Sequence, residues 1–167
     1  MIRDKVVLVD IQNNELGICD KLEAHQKGLL HRAFSILVYN SKGEVLLQKR
    51  AQNKYHSGGL WSNTCCSHPQ PNELIDVSVH LRLQEEMGFD CHLTHVGDFI
   101  YKTPFENGLI EYEFDSVFWG LFDGTPLPNP DEVEEYKWES LSVLKENLST
   151  FPQLFTYWLP FVVDKCP

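Results

Sequence analysis

Between Asn72 and Gly88 the chain carries a stretch, Glu73 to Met87, with neither proline nor glycine, in which Leu74, Val77, Leu81 and Met87 recur near helical spacing. Gly88 stands where such a helix would stop. On either side the pattern changes to runs bounded by turn residues. Val6 to Asp10 reads as a strand ending in Asn13 and Asn14, and Arg32 to Tyr39 and Glu44 to Lys49 flank the hairpin signal Asn40-Ser41-Lys42-Gly43. Phe89 to Lys102 and Leu109 to Phe122 predict two long strands about a Phe105 to Gly108 turn, followed by a shorter strand near Glu135 to Trp138. Leu141 to Leu148 and Pro152 to Val162 predict two closing helices. Strands interrupted by one central helix and closed by others predict an α+β domain built in α-β-α layers.

The 167 residues predict a single domain over 1–167, and the 43% apolar content is enough for a core without staples. With 14 basic against 24 acidic side chains the net charge is −10, which argues against a nucleic-acid track but leaves room for a small anionic ligand. The apolar runs are too short to span a membrane. Cys19, Cys65, Cys66, Cys91 and Cys166 form an odd set without a CxxC spacing; with no export signal visible, this predicts free thiols and a cytoplasmic location.

Three groups of residues bear on chemistry. On the predicted helix Ser78, Arg82, Glu85 and Glu86 share a face, readable as a solvated ion pair or as a metal and phosphate site. Before it, Cys65-Cys66-Ser67-His68 places thiols beside an imidazole, readable as a reactive pair or as small core residues. On the second long strand, Glu111 and Glu113 share a face by period two, costly in a core unless a cation sits between them. With His25, His31 and His68 these would make a mixed nitrogen and oxygen set suited to Zn²⁺, Mn²⁺ or Fe²⁺. Lys21, Arg50, Lys54 and Arg82 would make a local basic pocket in an acidic protein.

The helix is similar to the Nudix pattern, in which glycine, five residues, glutamate and seven residues precede REUxEExGU, with U aliphatic. Glu73, Leu83, Glu85, Glu86, Gly88 and Phe89 fall on it, whereas Ser67, Leu81 and Arg82 depart from it. A cation at Arg82 repels the metal that a Nudix hydrolase gathers there. The runs HRAFS from His31, SNTCCSHP from Ser62, RLQEEMG from Arg82 and IEYEFD from Ile110 resemble the type I isopentenyl diphosphate isomerases, non-hydrolytic members of the Nudix superfamily. The resemblance runs from about Asp10 to Trp158.

That resemblance implies a Nudix-like domain with a mixed, largely antiparallel sheet, and interconversion of isopentenyl and dimethylallyl diphosphate by adding a proton at one carbon and removing another from the opposite face. It makes Cys66 and Glu113 the acid/base pair, with Tyr101 hydrogen-bonding near Glu113. It makes His25, His31, His68, Glu111 and Glu113 ligands of one tightly held divalent metal, Mn²⁺ or Zn²⁺. Glu86 would be a ligand of the Mg²⁺ that accompanies the diphosphate, Lys21, Arg50, Lys54 and Arg82 would grip that diphosphate, and Trp158 would lie over the hydrocarbon. The implied partner is a small isoprenoid diphosphate. The His25 to His31 loop looks one residue shorter than the family pattern, so whether His25 keeps its place at the metal is left to the geometry of that loop. Two other readings are a Nudix pyrophosphohydrolase, against which Leu81 and Arg82 argue, and a catalytically silent relative that binds a phosphorylated ligand or a protein partner.

Overall fold

A computed structural model describes residues 2–167. Its centre is strand β3 (His31–Tyr39), which pairs in parallel with β8 (Ile110–Leu121) from His31 opposite Glu113 to Tyr39 opposite Leu121. β8 pairs antiparallel with β7 (Leu93–Pro104) through the turn at Phe105 to Gly108. β4 (Glu44–Arg50) pairs antiparallel with β9 (Val133–Ser140) and β5 (Trp61–Ser62), and β6 (Cys65–Ser67) pairs antiparallel with β3. At one edge lie β1 (Lys5–Val9) and β2 (Glu15–Asp20), followed by helix α1 (Lys21–Lys27). The sheet is mixed and largely antiparallel, as the sequence predicts.

β3 is apolar on both faces because both are covered. Phe34, Ile36 and Val38 pack toward Val79, Leu83 and Met87 of α2 (Ile75–Met87), while Leu37 and Tyr39 pack toward Leu144 of α3 (Leu141–Thr150) and Leu159, Val162 and Val163 of α4 (Leu159–Lys165). This is the expected α-β-α layering.

The hairpin turn at Asn40 to Gly43 forms, but β3 and β4 pair only at Tyr39 and Val45. They splay because Thr64 stands between them: its hydroxyl accepts from the Val38 N–H at 2.9 Å and donates to the Leu46 carbonyl at 2.7 Å. The opening admits β5 and β6, which carry Ser62, Cys65 and Cys66.

Three sequence expectations need correction. Leu74, Val77 and Leu81 do not form the buried stripe of α2; all three are exposed. The helix docks through Val79, Leu83 and Met87 at i, i+4 and i+8, and its inner face also buries Ser78 and Glu86 while Glu85 points outward. The apolar positions run around both sides of this helix, so spacing alone named the wrong side. α2 also starts at Ile75, two residues after Glu73, whose carboxylate instead accepts from the Gln70 N–H and from Arg3. At the C terminus the second predicted helix is broken: Pro152–Leu154 is a short 3₁₀ turn, Phe155 bridges to Trp61, and the helix starts only at Leu159. Pro152 and Pro160 each favour a new first turn over continuation of an old one.

Candidate active site

β8 alternates from Glu111 to Asp115: Glu111, Glu113 and Asp115 are buried on one face, Tyr112 and Phe114 less so on the other. The parallel register sets His31 directly beside Glu113. His68 follows β6, and its Nε2 lies 2.9 Å from Glu113 Oε1. His25 arrives from α1. The left-handed turn at Gly28 closes that helix and lets the Leu29 N–H donate to the Ala24 carbonyl, so the short loop returns the chain to β3 without displacing His25. His25, His31, His68, Glu111 and Glu113, all five implied by the resemblance, thus offer one ligand atom each within 4.8 Å of one another.

The donor set fits a divalent cation. His25 Nδ1 donates to the Lys21 carbonyl at 2.6 Å and His31 Nδ1 to the Leu29 carbonyl at 2.8 Å. Those bonds turn both Nε2 atoms toward the carboxylates. His31 Nε2 is buried with no hydrogen-bond partner, 3.7 Å from Glu111 Oε1 and 3.5 Å from Glu113 Oε1. Burial works against a charged His31, yet Glu113 and Glu111 outweigh it and draw its pKa up. Burial pushes His68 down to about 3 despite Glu113, leaving it a neutral donor. Burial also opposes charge on Glu111, but hydrogen bonds within the cluster, those of His25 and His56 among them, hold it well below the usual carboxylate range. The two carboxylates call for positive charge between them.

Cys66 and Glu113 line the same compartment, about 30 Å³, together with Arg50, Tyr55, His56, His68, Tyr101, Glu111 and Trp158. Cys66 Sγ donates to Asn63 Oδ1 at 3.1 Å and accepts from Trp158 Nε1 at 3.1 Å. Burial pushes its thiol up to about 12, with Arg50 opposing. Tyr101 donates to Glu113 Oε2 at 2.9 Å, its phenol held neutral by burial and then by the Glu111 and Glu113 charges. Trp158 is buried beside the cysteine, and the Arg50 guanidinium stands 5.4 Å from its ring centre.

Lys21, Arg50, Lys54 and Arg82 line one adjoining cavity of about 260 Å³, with Cys66 and His68 at the shared boundary. Glu132 also faces this cavity and pairs with Lys54. Glu86 is buried outside the cavity lining, accepting from Cys65 Sγ at 2.9 Å and standing 3.4 Å from Arg82 Nη2. Cys65 belongs to the α2 core cluster.

Several residues of the site escaped sequence reasoning. His56 Nε2 lies 2.6 Å from Glu111 Oε2 and its ring stacks on Phe105 at 4.4 Å. Asn63 holds both Cys66 and Trp158. Asp115, at the next inward position after Glu113, accepts from Ser35 Oγ at 2.8 Å, and burial followed by the Glu113 charge raises its pKa well above the usual range. The alternation that singled out Glu111 and Glu113 also reaches Asp115, so that signal was available; for His56 only its place just after Lys54 pointed here.

The profile of the NUDIX domain matches residues 29–159, which with the layered sheet defines a Nudix-domain protein. A Deinococcus radiodurans protein of known crystal structure superposes with a TM-score of 0.79 at 17% identity, over 97% of this chain and 98% of that one. An isopentenyl-diphosphate Delta-isomerase 2 from Aromatoleum aromaticum is 49% identical over 98% of this chain and 87% of its own length. Another from Photorhabdus laumondii is 50% identical over 95% and 90%. The chain belongs to the isopentenyl-diphosphate Delta-isomerase family.

Proposed function

We propose that this chain, acting as one domain, interconverts isopentenyl and dimethylallyl diphosphate, with Cys66 and Glu113 dividing the two proton transfers. The observation that carries the reading is their place in one buried compartment, between a His/Glu cluster on one side and a cavity of four cationic side chains on the other.

Lys21, Arg50, Lys54 and Arg82 bind the diphosphate, which fixes the short hydrocarbon from its polar end. Binding energy gained there is spent on orientation and on keeping water out. The thiol enters the cycle with its proton, because burial holds Cys66 neutral. One group of the pair adds a proton to the double bond and the other takes one from the neighbouring carbon, so atoms and charge balance without a co-reactant. Tyr101 orients Glu113 through its hydrogen bond, and Trp158 with Asn63 orients the thiol. The Trp158 ring also offsets positive charge on the reacting carbons, by about 2 kcal/mol where water is excluded. A divalent cation held by His25, His31, His68, Glu111 and Glu113, Mn²⁺ or Zn²⁺ by its donors, would stabilise the ionised form of Glu113, the form that takes a proton while the thiol gives one. The family resemblance gives Glu86, which lies behind the cationic cavity against Arg82, to a Mg²⁺ accompanying the diphosphate. The free thiols fit a cytoplasmic location, and among the described residues no helix is long and apolar enough to cross a membrane.

The test is incubation with isopentenyl diphosphate in deuterated water, with and without chelator. Deuterated dimethylallyl diphosphate formed only without chelator supports the reading; release of inorganic phosphate with no isomer would replace it with hydrolysis.

A further inference from the structure

The compartment shared by Cys66 and Glu113 has about 30 Å³ of free space, roughly one water's share, and a five-carbon tail needs several times that. Lining side chains must therefore give way when substrate enters. His56 is the lining residue with apolar space behind it. It also borders a cavity of about 760 Å³ lined by Phe105, Leu148, Phe155, Tyr157, Pro160 and Phe161. The lining of that cavity contains no lysine or arginine, and its only carboxylate is Glu106. A diphosphate finds no counter-charge there. The cationic cavity, the reacting compartment and this apolar cavity are thus arranged in series, the first pair sharing Arg50, Tyr55, Cys66, Ser67 and His68, the second pair sharing His56.

We propose that the apolar cavity is a hydrocarbon compartment, and that the His56–Phe105 stack is the wall limiting the site to a five-carbon substrate. The wall is well made for this. Phe105 lies flat against His56, with ring centres 4.4 Å apart and planes 12° apart, and Trp158 meets the same imidazole edge-on at 5.7 Å. His56 is held from the reacting side by Glu111, 2.6 Å away. Without the Phe105 ring the imidazole loses its backing, and a chain extended from C3 of the substrate passes into apolar surroundings while its diphosphate stays among the cations. The occupant is therefore the alkyl chain of a diphosphate anchored in the cationic cavity.

This inference rests on the proposed isomerase reading, and the experiment separates the two. Deuterium uptake from deuterated water is measured for isopentenyl diphosphate and for its homologue with the C3 methyl lengthened to butyl, using the unaltered chain, Phe105→Ala and Phe105→Leu. The expected result is at least a tenfold rise in the ratio of kcat/KM for the butyl homologue over isopentenyl diphosphate in Phe105→Ala, with a smaller rise in Phe105→Leu. An unchanged ratio in folded variants overturns the wall. Should Phe105→Ala fail to fold, Phe105→Leu decides by the same ratio. If the unaltered chain takes no deuterium into isopentenyl diphosphate, the isomerase reading fails instead. The cavity is then judged by titrating the unaltered protein with farnesol, a neutral prenyl alcohol: NMR shifts at Phe105, Tyr157 and Phe161 support a hydrocarbon compartment, and their absence overturns it.

Discussion

The indole N–H of Trp158 donates to the sulfur of Cys66 across 3.1 Å, joining the start of the last helix to a strand 92 positions earlier. The same indole reaches Asn63 Oδ1, which accepts from that thiol. Cys66 is thus held by a triangle of side chains, and its proton has a defined direction.

Replacing Cys66 removes the group proposed for proton transfer and little of the packing. Cys66→Ala should lower turnover by about a thousandfold, within the span that acid–base groups contribute. Far-ultraviolet circular dichroism should be unchanged. Full deuterium exchange by this variant would exclude Cys66 from the chemistry.

Glu113 is asked to serve both the His/Glu cluster and the reacting compartment. Glu113→Gln keeps the shape and the Tyr101 contact but removes the charge that His31 and His68 face. Both turnover and bound metal should fall, the affinity for Mn²⁺ at least tenfold by calorimetric titration. Chelation of the unaltered protein should abolish activity and Mn²⁺ should restore it; a variant with full metal content would separate the two duties.

Glu73 supplies the pH prediction. Burial pushes its carboxyl up, but hydrogen bonds from Arg3 and the Gln70 N–H, with the Arg3 charge, outweigh burial and hold it down to about 2. A folded pKa below the ordinary 4.5 means stability that is present above pH 4.5 and lost as pH falls through 2. The melting temperature of Glu73→Gln should therefore lie below that of the unaltered chain at pH 7, and the two should converge in that acid window. Parallel melting curves down to pH 2 would contradict this. Arg3 also donates to the His68 carbonyl at 2.9 Å, so the ion pair braces the β6 end of the site.

Gly88 ends α2 with φ of +73°, and a Cβ there would meet the Leu127 carbonyl oxygen at 2.2 Å. Gly88→Ala should destabilise the fold by about 2 kcal/mol or more through strain and backbone displacement. Chemical denaturation measures it, and a change under half a kilocalorie would refute the clash.

The strand alternation of Glu111 and Glu113, the nearness of Cys66 and His68 to one cavity and the two long strands were legible because each is a local pattern, although the thiol bonds Asn63 and Trp158 rather than the His68 imidazole. The order of layers followed from where the helices fall between strands. The burial of α2 was not legible, since Leu74 and Val77 are as apolar as Val79 and Leu83, and only docking decides between them. Nor was β2 (Glu15–Asp20), an edge strand with exposed Leu16 and Ile18 that lacks the contrast between faces on which alternation depends. His56 escaped for a third reason. Its importance comes from Phe105, Glu111 and Trp158, all far along the chain, and nothing near residue 56 announces them.

The Thr64 hydroxyl wedged between β3 and β4 keeps two neighbouring strands from zipping together, and the Cys66 thiol enters through the gap it props open. A valine there would fill nearly the same volume, yet strand both the Val38 amide and the Leu46 carbonyl without a partner. A single oxygen atom thereby maintains the doorway, well away from any bond that is made or broken.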